Sequence, residues 1–113
     1  MDCLFCRIIA GDIPSDKVHE DEKAVAFRDI NPGAPFHVLV VPREHIATLN
    51  DLDPAHDALV GGLIRVGAKL AREAGFGERG YRTVFNCNRE AGQSVFHGHL
   101  HVLAGRNLAW PPG

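Results

Sequence analysis

Residues 37–41 of the chain, HVLVV, constrain its fold most, because four of the five are apolar and Pro42 ends the run. A strand without a polar side is stable only where other elements cover both of its faces. The β-branched Val residues also favour extended backbone. The sequence therefore predicts a central strand of a sheet over residues 37–41.

The other strand-like segments are short and are separated by Gly, Pro and charged turn residues. The Glu20-Asp21-Glu22 turn predicts a hairpin between two of them. Nearly all the connections between strands are short, which favours an antiparallel sheet. The predicted strands cover residues 17–20, 24–28, 37–41, 80–86 and 95–103.

Helical signals predict one long helix and one short helix. Asp53 suits the N-cap and Pro54 the first helical position of the long one. Apolar residues then recur at helical spacing until Gly75, namely Leu59, Leu63, Val66 and Leu70. A short helix is predicted over residues 4–10, ending at Gly11. The expected fold class is α+β, with a five-stranded antiparallel sheet and a helix on one face.

Length and charge limit the class of protein. A chain of 113 residues favours a single domain, residues 1–113. Twelve Lys and Arg against fourteen Asp and Glu, with no basic run, argue against nucleic acid and membrane partners but allow a small anionic ligand. No apolar stretch reaches the ~20 residues of a membrane span, and the first residues do not look like a signal peptide, so we expect a cytoplasmic protein.

Three of the seven histidines alternate with other residues as His97, His99 and His101. On a strand, alternate side chains project from one face, so these imidazoles would line that face over roughly 13 Å while Leu100 and Val102 face the core. A solvated polar stripe is the simpler alternative, but such stripes usually consist of Thr, Lys or Glu. The pattern therefore favours a chemical role.

Two chemistries are compatible with such a row of imidazoles. Neutral imidazole is a common zinc ligand, and it is also a nucleophile when its neighbours orient it and move protons. The preceding loop, residues 86–94, favours the nucleophile. Backbone N–H groups near Gly92, the Ser94 hydroxyl and an Asn amide would make a cradle for an oxyanion or phosphate, which a metal site would not need.

Cys3 and Cys6 form a Cys-x-x-Cys pair. In a chain expected to be cytoplasmic, cysteines argue against a disulfide scaffold, so the pair needs another explanation. The Cys-x-x-Cys spacing suits two thiolate ligands of a tetrahedral zinc site, or a redox pair. It also allows two reduced core cysteines on one face of a short helix. Cys87 has no partner in the sequence and is interpreted as a core residue at a loop end.

The sequence His-x-His-x-His followed by two apolar residues, at 97–103, resembles the signature of the histidine triad superfamily. The likeness extends through residues 29–32 (DINP), 37–46 (HVLVVPREHI), 92–96 (GQSVF) and 109–113 (AWPPG), and covers nearly the whole chain. Length and the Trp-Pro-Pro-Gly ending resemble the branch of histidine triad nucleotide-binding proteins, the purine nucleoside phosphoramidases. Gly98 departs from the family, which usually has a larger apolar residue there, and could loosen the strand.

The resemblance implies roles for the residues around the triad. His99 would attack the α-phosphorus of a nucleoside phosphoramidate, forming a nucleotidyl-histidine that water hydrolyses, with no cofactor required for catalysis. His37 and His97 would orient His99 and set its tautomer. His101 and Ser94 would contact the phosphate oxygens or the leaving group.

The same resemblance implies a nucleotide-binding pocket. Asp29 would bind the ribose hydroxyls, while Asn86 and the Gly92 amide would hold phosphate or ribose. The residues assigned to nucleotide binding are Phe5, Ile8, Phe27, Asp29, Ile30, Asn86, Gly92, Gln93, Ser94 and Trp110, with Leu4 beside them. Without the family, the apolar members are more simply explained as core, and Asp29 as a turn residue.

Two further expectations rest on the resemblance. Some histidine triad proteins with this cysteine pair bind structural zinc, and the ligands here would be Cys3, Cys6, His45 and His97. In the family the tail crosses a two-fold dimer. We therefore expect a homodimer that joins two sheets and places Trp110 near the neighbouring subunit's substrate amine.

The expected function is hydrolysis of purine nucleoside phosphoramidates, such as AMP joined to an amine. The alternatives within enzymes are hydrolysis of dinucleoside polyphosphates or another nucleotidyl transfer. A nucleotide-binding interaction module with incidental turnover is an alternative of another class. A metalloenzyme with zinc held by the triad itself is a fourth interpretation.

Overall fold

A computed structural model describes residues 3–113; Met1 and Asp2 lie outside the described residues. Its helices and strands, in chain order, are α1 (Leu4–Ile9), β1 (Lys17–Glu20), β2 (Ala24–Arg28), β3 (Phe36–Pro42), α2 (Asp57–Glu73), β4 (Tyr81–Phe85) and β5 (Leu100–Ala104). Short 3-10 turns occupy Leu49–Asp51, Pro54–His56 and Arg89–Ala91. Within residues 3–113, no helix has the length and apolar character needed to cross a membrane.

The five strands form one antiparallel sheet in the order β1-β2-β3-β5-β4. β3 lies at the centre, and all seven of its residues are buried, as its apolar sequence predicts. The predicted α+β class, with a five-stranded antiparallel sheet and one main helix, is confirmed. β1 and β4 are the edge strands.

Alternation along the strands separates two apolar cores. The face toward α2 packs side chains of the sheet, among them Val38, Val40, Leu100 and Val102, against Leu63 and Leu70. At Gly67 the helix approaches β5 so closely that an added Cβ would lie 2.9 Å from Val102 Cγ2. The opposite face packs Val25, Phe27, Leu39 and Val41 against Phe5 and Ile8 of α1. The second face also carries His37 on β3 and His101 on β5.

The long helix begins differently from the prediction. Its first turn, Pro54–His56, is 3-10, and the α-helix starts at Asp57. Asp53 still caps that turn, because its carboxylate accepts a hydrogen bond from the Ala55 N–H at 2.8 Å. The capping signal therefore located the start of the helical region but not its hydrogen-bond pattern.

The strand predicted over residues 95–103 begins only at Leu100, so the prediction that one strand carries three histidines is wrong. Continued pairing with β3 would set Gly98 opposite Pro42, which has no N–H to donate. The Gly98 N–H instead donates to the Ile46 carbonyl at 2.6 Å. His97 and His99 therefore precede the strand and face different surroundings.

Candidate active site

His99 is a buried imidazole with one defined tautomer. Its Nδ1 lies 2.8 Å from the backbone oxygen of His97, which can only accept, so Nδ1 carries the proton and Nε2 the lone pair. The Phe5 ring packs edge-on against it, with ring centroids 4.9 Å apart. Burial lowers the pKa of His99, although its hydrogen bond to His97 and the Asp29 charge oppose this. A neutral imidazole with its lone pair on Nε2 is the form that a nucleophile requires.

His37 and His101 form a directional hydrogen-bonded pair. The Gly33 N–H donates to His37 Nδ1 at 2.9 Å, so the His37 proton is on Nε2. That Nε2 lies 2.9 Å from His101 Nδ1 and 3.4 Å from a carboxylate oxygen of Asp29. His37 therefore donates to His101 Nδ1, and neutral His101 carries its own proton on Nε2. A backbone amide at Gly33 thus sets the tautomers of two imidazoles.

Burial keeps this pair uncharged near neutral pH. It lowers the pKa of His37, although the Asp29 carboxylate opposes the change. It also lowers the pKa of His101 to about 4, with smaller contributions in the same direction from the charges of His99 and His37. The hydrogen-bonded arrangement of the pair is therefore one of neutral rings.

Asp29, His37 and His101 also bring three possible ligand atoms within 4.8 Å of one another. A metal on His37 Nε2 would move the ring proton to Nδ1, where it would face the Gly33 N–H and leave two donors in contact. The group consequently suits a chain of hydrogen bonds better than a metal ion.

An open pocket of about 290 Å³ adjoins His99 and His101. The residues predicted for nucleotide binding that line it are Phe5, Ile8, Phe27, Asp29, Ile30 and Ser94, together with Leu4. Ile30 is 91% exposed and Leu4 47% exposed, so apolar surface stands open at the pocket. Apolar walls with a few polar groups at one end suit a planar base attached to a polar sugar and phosphate. We call this cavity the nucleotide pocket.

The structure places the other predicted nucleotide-binding residues elsewhere. Asn86 and Trp110 line a second cleft, of about 700 Å³, which among residues 3–113 shares only His101 with the nucleotide pocket. The Gly92 N–H, predicted to be part of an anion cradle, donates to the Arg89 carbonyl at 3.0 Å. Asn86, Trp110 and Gly92 therefore do not surround one ligand position within the described residues.

Gln93 is buried inside its loop. Its side-chain oxygen accepts from the Asn88 N–H at 2.8 Å, and its amide nitrogen donates to the carbonyls of Ala47 at 2.8 Å and Val95 at 3.1 Å. These bonds tie the loop before Ser94 to the segment that carries His45. The Gln93 side chain is thus committed to the loop rather than to a ligand.

The hydrogen-bonding roles of Gly33, Gln93 and the Pro42 carbonyl do not follow from the sequence patterns. The function of Gly33 depends on where its backbone amide points. No side-chain pattern encodes the direction of a backbone amide. For Gln93, a large polar residue between small loop residues was the one available signal.

Cys3, Cys6, His45 and His97 converge into a compact group in which all four ligand atoms lie within 4.8 Å of one another. His97 Nδ1 is 3.5 Å from each Sγ and 3.1 Å from His45 Nδ1, and Cys6 Sγ is 3.4 Å from His45 Nδ1. A zinc tetrahedron with ordinary bond lengths has N···N edges of about 3.3 Å and N···S edges of about 3.5 Å. The observed spacings fit these edges.

The tautomer of His97 fits the same group. Its Nε2 lies 2.7 Å from the Pro42 carbonyl and therefore donates, which leaves the lone pair on Nδ1, facing the cysteines and His45. A backbone carbonyl that fixes the second nitrogen of a ligating imidazole is a usual outer partner in metal sites. The donor set, spacing and orientation all suit zinc.

Comparison with known proteins agrees with this geometry. Residues 2–108 match the family model described as scavenger mRNA decapping enzyme C-term binding. The structure of a HIT family hydrolase from Legionella pneumophila Philadelphia 1 superimposes with a TM-score of 0.98 at 49% identity, over 99% of this chain and 100% of that one. The chain belongs to the histidine triad (HIT) family. The resemblance found in the sequence is thereby confirmed.

Other HIT relatives cover nearly the same span. The purine nucleoside phosphoramidase of Escherichia coli K12 is 47% identical over 105 residues, 93% of this chain and 88% of that protein. An uncharacterised HIT-like protein of Synechococcus elongatus is 47% identical over 112 residues, 99% of this chain and 97% of that protein. A histidine triad protein of Clostridium difficile superimposes with a TM-score of 0.93 at 46% identity, over 96% of this chain and 95% of that one.

Proposed function

We propose that the protein is a hydrolase that cleaves the P–N bond of purine nucleoside phosphoramidates through a nucleotidyl-histidine at His99. The observation that carries the proposal is the unprotonated Nε2 of buried His99, set beside a pocket with apolar walls and the Asp29 carboxylate. The name of the Escherichia coli relative, purine nucleoside phosphoramidase, supports the choice of substrate.

In the first step the His99 Nε2 lone pair attacks the α-phosphorus. A P–N bond to His99 forms and the P–N bond to the amine breaks, with the leaving nitrogen taking up one proton so that a neutral amine departs. The proton stays on His99 Nδ1 and keeps its hydrogen bond to the His97 carbonyl oxygen. This oxygen stabilises the positive charge that develops on the ring. The His101 Nε2–H is available to hydrogen bond a phosphate oxygen.

In the second step water replaces His99 on phosphorus. The oxygen of water forms a P–O bond, the P–N bond to His99 breaks, and one proton is released with AMP. The lone pair returns to Nε2 with the Nδ1 proton still in place. Two displacements at a positioned phosphorus thus replace one direct attack by water on the phosphoramidate.

Turnover of adenosine 5′-phosphoramidate by the wild type, His99→Ala and His56→Ala tests this function. His56 hydrogen bonds near the start of α2, outside both cavities, and serves as the matched control. We expect His99→Ala to lose at least about 10³-fold in kcat while still binding AMP, and His56→Ala to remain active. Wild-type protein that binds AMP but releases no amine would instead favour the interaction module.

We also propose that Cys3, Cys6, His45 and His97 hold one zinc ion, which would join α1 to the segment before β5. Zinc has no place in the two chemical steps above. Metal analysis of the purified protein and of the Cys3→Ser, Cys6→Ser double variant tests this. One zinc per chain that disappears in the double variant supports the proposal, whereas zinc retained without the cysteines would assign it to the triad instead.

We propose a homodimer on the basis of the edge position of strand β4, of exposed apolar side chains and of the family resemblance. Trp110 is 82% exposed, and Phe96 and Ile64 are about half exposed. Exposed large apolar side chains of this kind are usual at subunit interfaces. Multi-angle light scattering at micromolar concentration should give the mass of two chains, and a monomer would contradict the proposal.

A further inference from the structure

Cys3 and Cys6 lie side by side where α1 begins. Cys3 is the N-cap residue, and its Sγ accepts a hydrogen bond from the Cys6 N–H at 3.4 Å. The two Sγ atoms lie within 4.8 Å of each other, and both residues are half-buried, so a small oxidant in the solvent can reach them. A disulfide, with its sulfurs about 2.05 Å apart, therefore needs only local movement at the start of α1.

The same two sulfurs are half of the group that fits zinc. Two thiolates bound to one zinc ion at ordinary bond lengths lie about 3.8 Å apart, well beyond S–S bonding distance. Zinc and a disulfide therefore exclude each other at this pair. Disulfide formation would leave the group only His45 and His97, which are too few ligands for a closed tetrahedral site.

The helix α1 connects the cysteine pair to the nucleotide pocket. Three of its apolar side chains line that pocket, among them Phe5. The Phe5 ring packs edge-on against His99 and His97, with ring centroids 4.9 and 6.1 Å apart. Phe5 stands between Cys3 and Cys6 in the sequence. A change in the spacing of the two sulfurs therefore acts on the wall of the pocket from both sides of Phe5.

We propose that Cys3 and Cys6 form a reversible intrachain disulfide, and that its formation expels zinc and weakens nucleotide binding. This control rests on the proposed function and on the proposed zinc site. It makes the affinity of the protein for its nucleotide depend on the oxidation state of two side chains outside the catalytic group.

Hydrogen peroxide can supply the oxidising equivalents. One sulfur attacks a peroxide oxygen, the O–O bond breaks, and a sulfenic acid and one water form. The second sulfur attacks the first, the S–S bond forms, and the sulfenic oxygen leaves as a second water. Each sulfur loses one electron and the peroxide gains two. Zinc leaves as the divalent ion, and two protons from the solvent complete the two waters. A dithiol reverses the bond by thiol–disulfide exchange.

Zinc-loaded Cys87→Ser protein tests the proposal, because Cys3 and Cys6 are then its only thiols. The protein is oxidised with hydrogen peroxide and afterwards reduced with dithiothreitol in the presence of zinc. At each stage the intact mass, the zinc released to a chromogenic chelator and the AMP affinity by calorimetry are measured. The Cys3→Ser, Cys87→Ser variant keeps one thiol, cannot close the bridge and is the matched control.

We expect peroxide to remove the mass of two hydrogen atoms, to release one zinc per chain and to raise the Kd of AMP by about tenfold, a usual size for coupling between two sites. Dithiothreitol with zinc should reverse all three changes. Because coupling is reciprocal, saturating AMP at fixed free zinc should raise the midpoint potential of the pair by about 30 mV, the tenfold factor for a two-electron couple. The control variant should lose no mass and show no recovery with dithiothreitol.

Disulfide formation with unchanged AMP affinity would overturn the control of the pocket and leave the proposed function standing. A mass that only increases, by added oxygen atoms, would overturn the disulfide itself. An equal and equally reversible loss of AMP affinity in the control variant would assign the effect to oxidation elsewhere. Reduced protein that holds no zinc would overturn the zinc site and the switch together, and reduced, zinc-loaded protein that binds no AMP would overturn the proposed function as well.

Discussion

The backbone oxygen of His97 accepts the Nδ1–H of His99 at 2.8 Å. The His97 side chain meanwhile points its Nδ1 lone pair at Cys3, Cys6 and His45. His97, whose backbone oxygen sets the tautomer of His99, thus also supplies one of the four ligand atoms of the group that fits zinc. Phe5, which lies between the two cysteines in α1, packs against the His99 ring. The two sites are therefore connected through both backbone and packing.

Removing zinc should loosen α1 and weaken nucleotide binding. We expect a chelator to lower the Tm by about 10 °C, because the loss of roughly 2 kcal/mol of ligand stabilisation shifts a domain of this size by that amount. AMP affinity should fall in parallel, since α1 supplies Leu4, Phe5 and Ile8 to the nucleotide pocket. Calorimetry measures both quantities. An unchanged Tm and unchanged AMP affinity after chelation would contradict the proposed coupling.

Replacing His37 should slow the chemistry without loosening the nucleotide. The side chain of His37→Asn is too short to connect the Gly33 amide to His101, so the His101 tautomer is no longer fixed. We expect kcat to fall between about tenfold and 100-fold, with KM changed by less than about twofold, because His37 does not line the nucleotide pocket. Steady-state kinetics with His56→Asn as control makes the comparison. A KM increase with normal kcat would assign His37 to binding.

Activity should persist to lower pH than an ordinary histidine pair would allow. The pKa of His101 is lowered to about 4 and that of His37 is lowered as well, both mainly by burial. The pair therefore stays neutral as the pH falls through 6.5, where an exposed imidazole would gain its proton. We therefore expect protonation of His101 to cause no loss of kcat/KM between pH 7 and about 5. A single acid limb centred near 6.5 that His37→Asn abolishes would show that the pair titrates normally.

The same shift predicts how stability depends on pH. In the unfolded chain the His101 ring takes up a proton below its ordinary pKa of about 6.5, whereas in the folded chain it does so only near pH 4. Between these values the unfolded state binds more protons, so the free energy of unfolding should fall as the pH is lowered through this window. Urea titrations from pH 7 to 4 measure it. His101→Phe, which cannot take up a proton, should show a smaller fall, and an identical fall would contradict the assignment.

Asn88 offers a stabilising substitution. Its backbone lies at φ 67 and ψ −170, a region that is essentially restricted to glycine. We expect Asn88→Gly to raise the free energy of unfolding by about 1 kcal/mol, measured by urea denaturation. Asn107→Gly, at a position without positive φ, should be neutral or destabilising. Destabilisation by Asn88→Gly would mean that the Asn side chain contributes more than the backbone strain costs.

Sequence patterns predicted the parts of the fold that depend on burial and capping. The apolar run at 37–41 located β3, and the helical spacing of apolar residues located α2. The Cys-x-x-Cys pair and the family resemblance together identified four residues that lie close together in the structure, namely Cys3, Cys6, His45 and His97. The strand before Leu100 was mispredicted, because Pro42 would lie opposite Gly98 and has no N–H to donate to it, which appears only once the register is known. The nucleotide-binding roles of Asn86 and Trp110 stay predictions, because both residues line the cleft across His101 and Trp110 is expected beside the neighbouring subunit's substrate amine.

A covalent bond between His99 and the nucleotide is the step on which the proposed function depends, and trapping the intermediate tests whether it forms. Wild-type protein mixed with adenosine 5′-phosphoramidate, quenched in alkaline denaturant within one turnover and digested, should yield a peptide spanning His99 with a nucleotidyl mass increase. His99→Ala should yield none, and His101→Ala should leave any adduct on His99. Rapid amine release by wild-type protein with no adduct at the earliest quench times, or an adduct on another histidine, would show that His99 does not act as the nucleophile.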